Sequence, residues 1–142
     1  MNLSNFENTI ISVLKEIFPQ FTVESFPSNF SDYTFTSPVG CHLVRYNGSD
    51  FSAQNTVWGV TQPMTVKYSV ITGYRGLQNY NEIHPQQEVL RNTLKGHKFF
   101  GKKIFLSSEE FLTEINGDLY MGLNFSVKIF ETENEEYDEI FV

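Results

Sequence analysis

The sequence predicts an α+β domain, a mostly antiparallel β-sheet with two main helices packed on one face. Three observations predict it. Residues 4–18 and 82–95 carry helical periodicity, residues 64–74 and 119–129 alternate with period two, and Asn116-Gly117 is a hairpin signal just before the second alternating run. With 142 residues the chain suits one domain, and folding should bury about two-thirds of its unfolded surface without a disulfide or metal staple. The expected division is a single α+β domain over 1–130 and an acidic C-terminal tail over 131–142.

In the first helix Phe6, Ile10, Val13, Leu14 and Ile17 recur at spacings of three and four, which makes one apolar stripe. Ser4 and Glu7 have the capping-box spacing, and Pro19 ends the run. Phe21, Val23 and Tyr33 to Phe35 read as short strands broken by Pro27 and polar residues. A strand follows at 41–46. It leads into "NGSDFSAQNT", which reads as a polar loop with Arg45 and Tyr46 at its base.

From Met64 to Tyr74, Met64, Val66, Tyr68, Val70, Thr72 and Tyr74 point one way, and Thr65, Lys67, Ser69, Ile71 and Arg75 the other. At ~3.3 Å per residue this strand runs about 36 Å. The radius of gyration expected for such a domain is roughly 14 Å, so the strand crosses the whole molecule. Gly73 and Gly76 are its expected bend points. The second helix presents Val89, Leu90 and Leu94, with Pro85 in its first turn and Gly96 as the left-handed residue past its end. Ile104 to Leu106 reads as a strand. Ser107 and Glu110, again at capping spacing, suggest a short helical turn, and Glu109 and Glu110 suit its first turn. The Asn-Gly turn then launches a final strand in which Leu119, Met121, Leu123, Phe125, Val127 and Ile129 share one face.

Composition narrows the function. The 17 acidic and 10 basic residues leave a net charge of −7, which disfavours specific nucleic-acid binding and anionic membrane surfaces. A lone Cys41 fits a reducing compartment, and the first residues lack the pattern of a signal peptide. No apolar run approaches the ~20 residues that span a bilayer. The tail "ETENEEYDE" holds six carboxylates in nine residues, so mutual repulsion should extend it unless a partner orders it.

No catalytic constellation emerges. His42, His84 and His97 lack metal-ligand spacing, and Cys41 and His42 are strand neighbours that point to opposite faces. There is no nucleophile elbow, P-loop or dinucleotide fingerprint. The expectation is a non-enzyme with no cofactor and no metal. What remains is surface. Tyr and Arg favour interfaces, and they cluster at strand ends as Arg45, Tyr46, Tyr74, Arg75 and Tyr80.

The segments "VRYNGS" with its trailing polar loop and "SEEF" before a turn and a final alternating strand resemble the small tail proteins of Mu-like phages. That family is known as a domain of unknown function, and the likeness covers roughly residues 40–130. It is similar in turn to the tail terminators of long-tailed phages and contractile injection systems. The resemblance implies a structural assembly protein whose partners are itself in a ring, commonly six-membered, the tail tube protein and the head–tail connector. It places the protein in the bacterial cytoplasm during assembly and in the tail or injection particle afterwards. The expected interface residues are Arg45, Tyr46, Asn47, Gly48, Ser49, Asp50, Phe51, Tyr74 and Arg75. The alternatives are a non-catalytic adaptor that binds one protein partner through a sheet edge, and a small enzyme with a site built from scattered residues.

Overall fold

The computed structural model describes residues 2–52, 62–77 and 80–131. Positions 132–142 of the predicted acidic tail, positions 53–56 of the predicted loop and positions 57–61 after it lie outside them. The chain forms helices α1 (Leu3–Ile17) and α2 (Ile83–Gly96) and strands β1 (Thr22–Ser25), β2 (Gly40–Phe51), β3 (Gln62–Tyr74), β4 (Lys98–Phe99), β5 (Lys102–Ile115) and β6 (Asp118–Glu131). Two short 3₁₀ turns lie at Phe30–Asp32 and Tyr80–Glu82. The strand order is β1-β2-β3-β6-β5-β4, and β1 against β2 is the parallel pair in an otherwise antiparallel sheet. The predicted α+β class is the observed one.

Helix α1 forms because its stripe has something to bury against. Phe6, Ile10 and Leu14 are fully buried, and together with Leu90 and Leu94 of α2 they pack on Val66, Tyr68, Val70, Leu123, Phe125 and Val127. Burying a side chain of this size contributes about 2 kcal/mol, so tertiary packing holds a 15-residue helix that would be marginal alone. The cap differs from the expected one. Asn2 accepts from the backbone N–H groups of Ser4 and Asn5, while Glu7 accepts from Ser25 Oγ at 2.8 Å and so ties the helix to β1. Ile17 and Val89, expected on the buried stripes, are each 43% exposed. Gly96 is the last residue of α2 and is not among the positive-φ residues.

Among the described residues, the other sheet face is covered at one end only. Residues 26–38 read as part strand, but they form an irregular cover. Phe26, Phe30, Tyr33 and Phe35 pack on Cys41, Leu43, Ile71 and Tyr120. That cover packs on Ile71, which simple alternation would have left to solvent; Ser69 on the same face is buried as well, hydrogen-bonded to Asn47 and Asn124. The predicted hairpin is present, with positive φ at both Asn116 and Gly117 as a type I′ turn requires. The predicted helical turn at 107–111 is absent, because β5 runs straight through it with irregularities at Leu106/Ser108 and Phe111/Thr113.

His42 is fully buried on the helix-bearing face. Its ring stacks on Phe21 (centroids 4.5 Å apart) and lies 4.3 Å from Phe18, while Nδ1 shares a 2.8 Å hydrogen bond with Thr72 Oγ1. Burial pushes its pKa down to about 3. The unfolded chain therefore binds this proton more readily than the folded one. Stability is complete above pH 6.5 and declines as pH falls toward 3, with a slope approaching about 1.4 kcal/mol per pH unit from this group. Urea titrations across that range should show an acid limb shallower by this amount in His42→Phe; an unchanged slope would show that the site does not exclude the charge.

Candidate interaction borders

The sheet has two borders, and each is partly unpaired among the described residues. On one side β1 covers only Cys41 to Val44 of β2, so Arg45 to Phe51 have β3 on one flank and no strand on the other. On the opposite side β4 covers only Lys102 and Lys103 of β5, which leaves Ile104 to Ile115 without an outer partner. Unpaired strand edges present a row of N–H and C=O groups that invites strand addition.

The β5 border is long and partly apolar. Phe105, Phe111 and Leu112 are 54, 50 and 42% exposed. Its irregularities twist the edge locally, a device that restricts which strands can pair with it. Behind the border, a polar chain fixes α2 against the sheet. Tyr74 Oη donates to Gln87 Oε1, Gln87 Nε2 donates to Glu109 Oε2 at 2.8 Å, and Arg91 donates to Glu109 Oε1 at 2.8 Å. Glu109 is thus held on the helix side, and Glu110 lies on the helix-free face beside Gly122.

The nine residues expected at an interface do not form one patch. Arg45 and Tyr46 lie in β2 as expected, and the stretch from Asn47 to Phe51, expected as loop, continues that strand. Gly48 takes φ +112° where the register shifts between Tyr46 and Gly48, and Ser49, Asp50 and Phe51 pair with Val66, Thr65 and Met64. Arg45 stands 5.2 Å from the Phe26 ring centroid, Tyr46 Oη meets Ser49 Oγ at 2.6 Å, and Asp50 pairs with Lys67 at 3.4 Å. Asn47 opens a polar ladder across four strands. It donates to Ser69 Oγ at 2.5 Å, Ser69 donates to Asn124 Oδ1, and Asn124 donates to Ser108 Oγ at 2.9 Å.

Tyr74 and Arg75 lie at the other end of the sheet, where Tyr74 pairs with Gly40. Tyr74 is 1% exposed and serves the α2 clamp, and burial raises its phenol pKa. Arg75 donates to the carbonyls of Phe35 and Ser37 and pairs with Asp118 at 3.3 Å, with its guanidinium 3.9 Å from the Phe35 ring centroid. It fastens the aromatic cover to the turn of the β5–β6 hairpin. A cavity of about 440 Å³ beside it is lined by Tyr33, Arg75, Asp118 and Tyr120, but the cation there is already engaged.

The β5 border was missed by sequence reading because Ser107 and Glu110 mimic a helix cap. The signal that could have found it is the absence of any Gly, Pro, Asn or Asp between "KKIFL" and Asn116.

Comparison with protein-family models gives a match to the Gp37 protein family over residues 10–141. The chain belongs to the Gp37 family. The family is phage-related, which agrees at that level with the likeness carried by "VRYNGS" and "SEEF". The match spans both borders, both helices and all six strands except the start of α1. No curated protein matches the chain. No helix among the described residues is long and apolar enough to cross a membrane.

Proposed function

We propose that this Gp37-family protein is a tail terminator, a non-catalytic subunit that closes into a ring on the end of the phage tail tube, stops tube growth and receives the head connector. The observation that carries this reading is that the described residues leave a stretch of border unpaired on each of two opposite sides of one sheet. A ring needs a heterologous contact, in which two different surfaces of identical subunits meet and the rotation closes. β2 and β5 run in opposite directions through the sheet, so placing the β2 border of one subunit against the β5 border of the next continues the antiparallel order. Charge favours the same pairing, because Arg45 leads one border and Glu110 stands on the other, both on the helix-free face.

Five of the predicted interface residues that lie outward on β2, Arg45, Tyr46, Ser49, Asp50 and Phe51, fall on the border this reading uses; Asn47 and Gly48 shape it. Tyr74 and Arg75 take structural roles instead. The phage-related family supports the setting. The test is to add the protein to polymerising tube protein of the same phage and image the products. Tubes of limited length with an annular density at one end are expected; unrestricted growth with bare ends overturns the reading.

A further inference from the structure

At the end away from the aromatic cover, the helix-free face is basic in a chain whose net charge is −7. Phe99, Ile104 and Val127 point into the core under the helices, so alternation turns Lys98, Lys103, Phe105, Ser126 and Lys128 the other way. Lys98 pairs directly with Lys103, and the register that sets Ile104 opposite Val127 places Lys103 beside Lys128. The three lysines form one row across β4, β5 and β6. In the adjoining row Phe105 faces Ser126, and Lys67 lies beyond it. All four lysines are exposed, and among the described residues only Lys67 has an ion-pair partner, Asp50. The Phe105 ring beside them is 54% exposed.

Lysines call for phosphates or carboxylates, and an exposed ring calls for a planar, apolar partner. A single-stranded nucleic acid supplies both, because its phosphates are charged and its unpaired bases stack on aromatic side chains. Duplex DNA keeps its bases inside the stack, and an acidic peptide offers carboxylates without a flat face for Phe105. The row spans two strand spacings of about 4.8 Å, close to the length of three nucleotides at a rise of about 3.4 Å per strand. Past Phe105 on the same face stand Ser108 and Asn124, and then Glu110, whose charge bounds the surface on that side. We propose that this face binds single-stranded nucleic acid without sequence preference, with Lys98, Lys103 and Lys128 on phosphates and a base stacked on Phe105. At about 0.1 M salt the Debye length is about 10 Å, so the row acts on a nearby phosphate while distant carboxylates of the chain are screened. Strand addition at the β5 border uses backbone groups in the plane of the sheet and leaves this face open. Nucleic-acid binding here is therefore independent of the terminator reading.

The test is fluorescence anisotropy of a labelled oligothymidylate titrated with the full-length protein at several salt concentrations, with unlabelled duplex DNA and poly-glutamate as competitors. Binding should weaken with salt at a log–log slope of about −2, as three neutralised phosphates at about 0.7 each require. Lys98→Gln, Lys103→Gln and Lys128→Gln together should remove most of the binding and flatten that slope. Phe105→Ala should weaken binding about tenfold and leave the slope unchanged, because stacking releases no counterions. Lys15→Gln with Lys95→Gln, both exposed and on the helices, should change neither quantity. Circular dichroism on each variant separates lost binding from lost folding. No binding at low salt, an equal loss in the helix-side pair, or full binding by Phe105→Ala overturns the proposal. Stronger competition by duplex DNA or by poly-glutamate than by unlabelled oligothymidylate also overturns it, and the latter result would assign the row to an acidic protein.

Discussion

Arg45→Glu should leave the protomer folded and prevent ring closure. Arg45 is exposed on the unpaired border of β2, and its main intramolecular contact is the Phe26 ring. Losing such an exposed cation–π contact costs only about 0.5–1 kcal/mol. Across the proposed contact the substitution sets one carboxylate against the neighbour's Glu110, and like charges juxtaposed at an interface are strongly unfavourable. The penalty repeats at every subunit junction of a closed ring. Native mass spectrometry in the presence of tube ends should show loss of the ring by Arg45→Glu alone and by Glu110→Arg alone. The double swap should restore it. Restoration is the informative result, since a nonspecific folding defect would not be relieved by a second surface change. Rings that persist in both single variants would place the contact elsewhere.

Gly40→Ala should be among the most damaging small substitutions in the chain. A Cβ at Gly40 would collide with the backbone carbonyl oxygen of Gly73 and would stand 2.8 Å from Phe21 Cε2. The carbonyl belongs to β3 and cannot rotate away as a side-chain tip could. The displaced strand also carries the Gly73 position, where Tyr120 and the Cys41 sulfur already pack closely. Overpacking of this kind costs about 3 kcal/mol. For a domain of this size that lowers Tm by roughly 10 °C, measurable by calorimetry. Gly96→Ala is the control. A Cβ there meets nothing within 4 Å, and φ is not positive, so the change should be neutral or slightly stabilising. Equal effects at the two sites would contradict the packing described around Gly40.

What could be read from the sequence follows from which elements keep a regular period. Helix α1, β3 and β6 each bury one consistent face, so their apolar residues recur on schedule; Asn116-Gly117 has only one common use between two strands. β2 beyond Tyr46 looked like loop because an edge strand with a shifted register buries little. Its residues can be Asn, Ser and Asp without cost, as the exposed Asn47 and Asp50 illustrate. β5 was hidden for a related reason. Two irregularities break its alternation, and Glu109 is stabilised by Arg91 and Gln87 from α2, a contact that no local pattern announces. The aromatic residues 26–35 have no period at all because they cap a face without joining a sheet. In both strands the features that made the sequence hard to read are those that leave a border unpaired.

The proposed contact can be probed with engineered disulfides, because Cys41 is fully buried, with its thiol pushed up to about 12 by burial, and will not compete. Facing residues on paired antiparallel strands lie about 4.5–5.5 Å apart, within the range a disulfide accepts. Oxidation of protein carrying Arg45→Cys together with Ser108→Cys or with Glu110→Cys, assembled on tube ends, should give a ladder of covalent oligomers that ends at a closed ring. Cross-linking that stops at dimers, or none in either pairing, would show that the two borders do not meet.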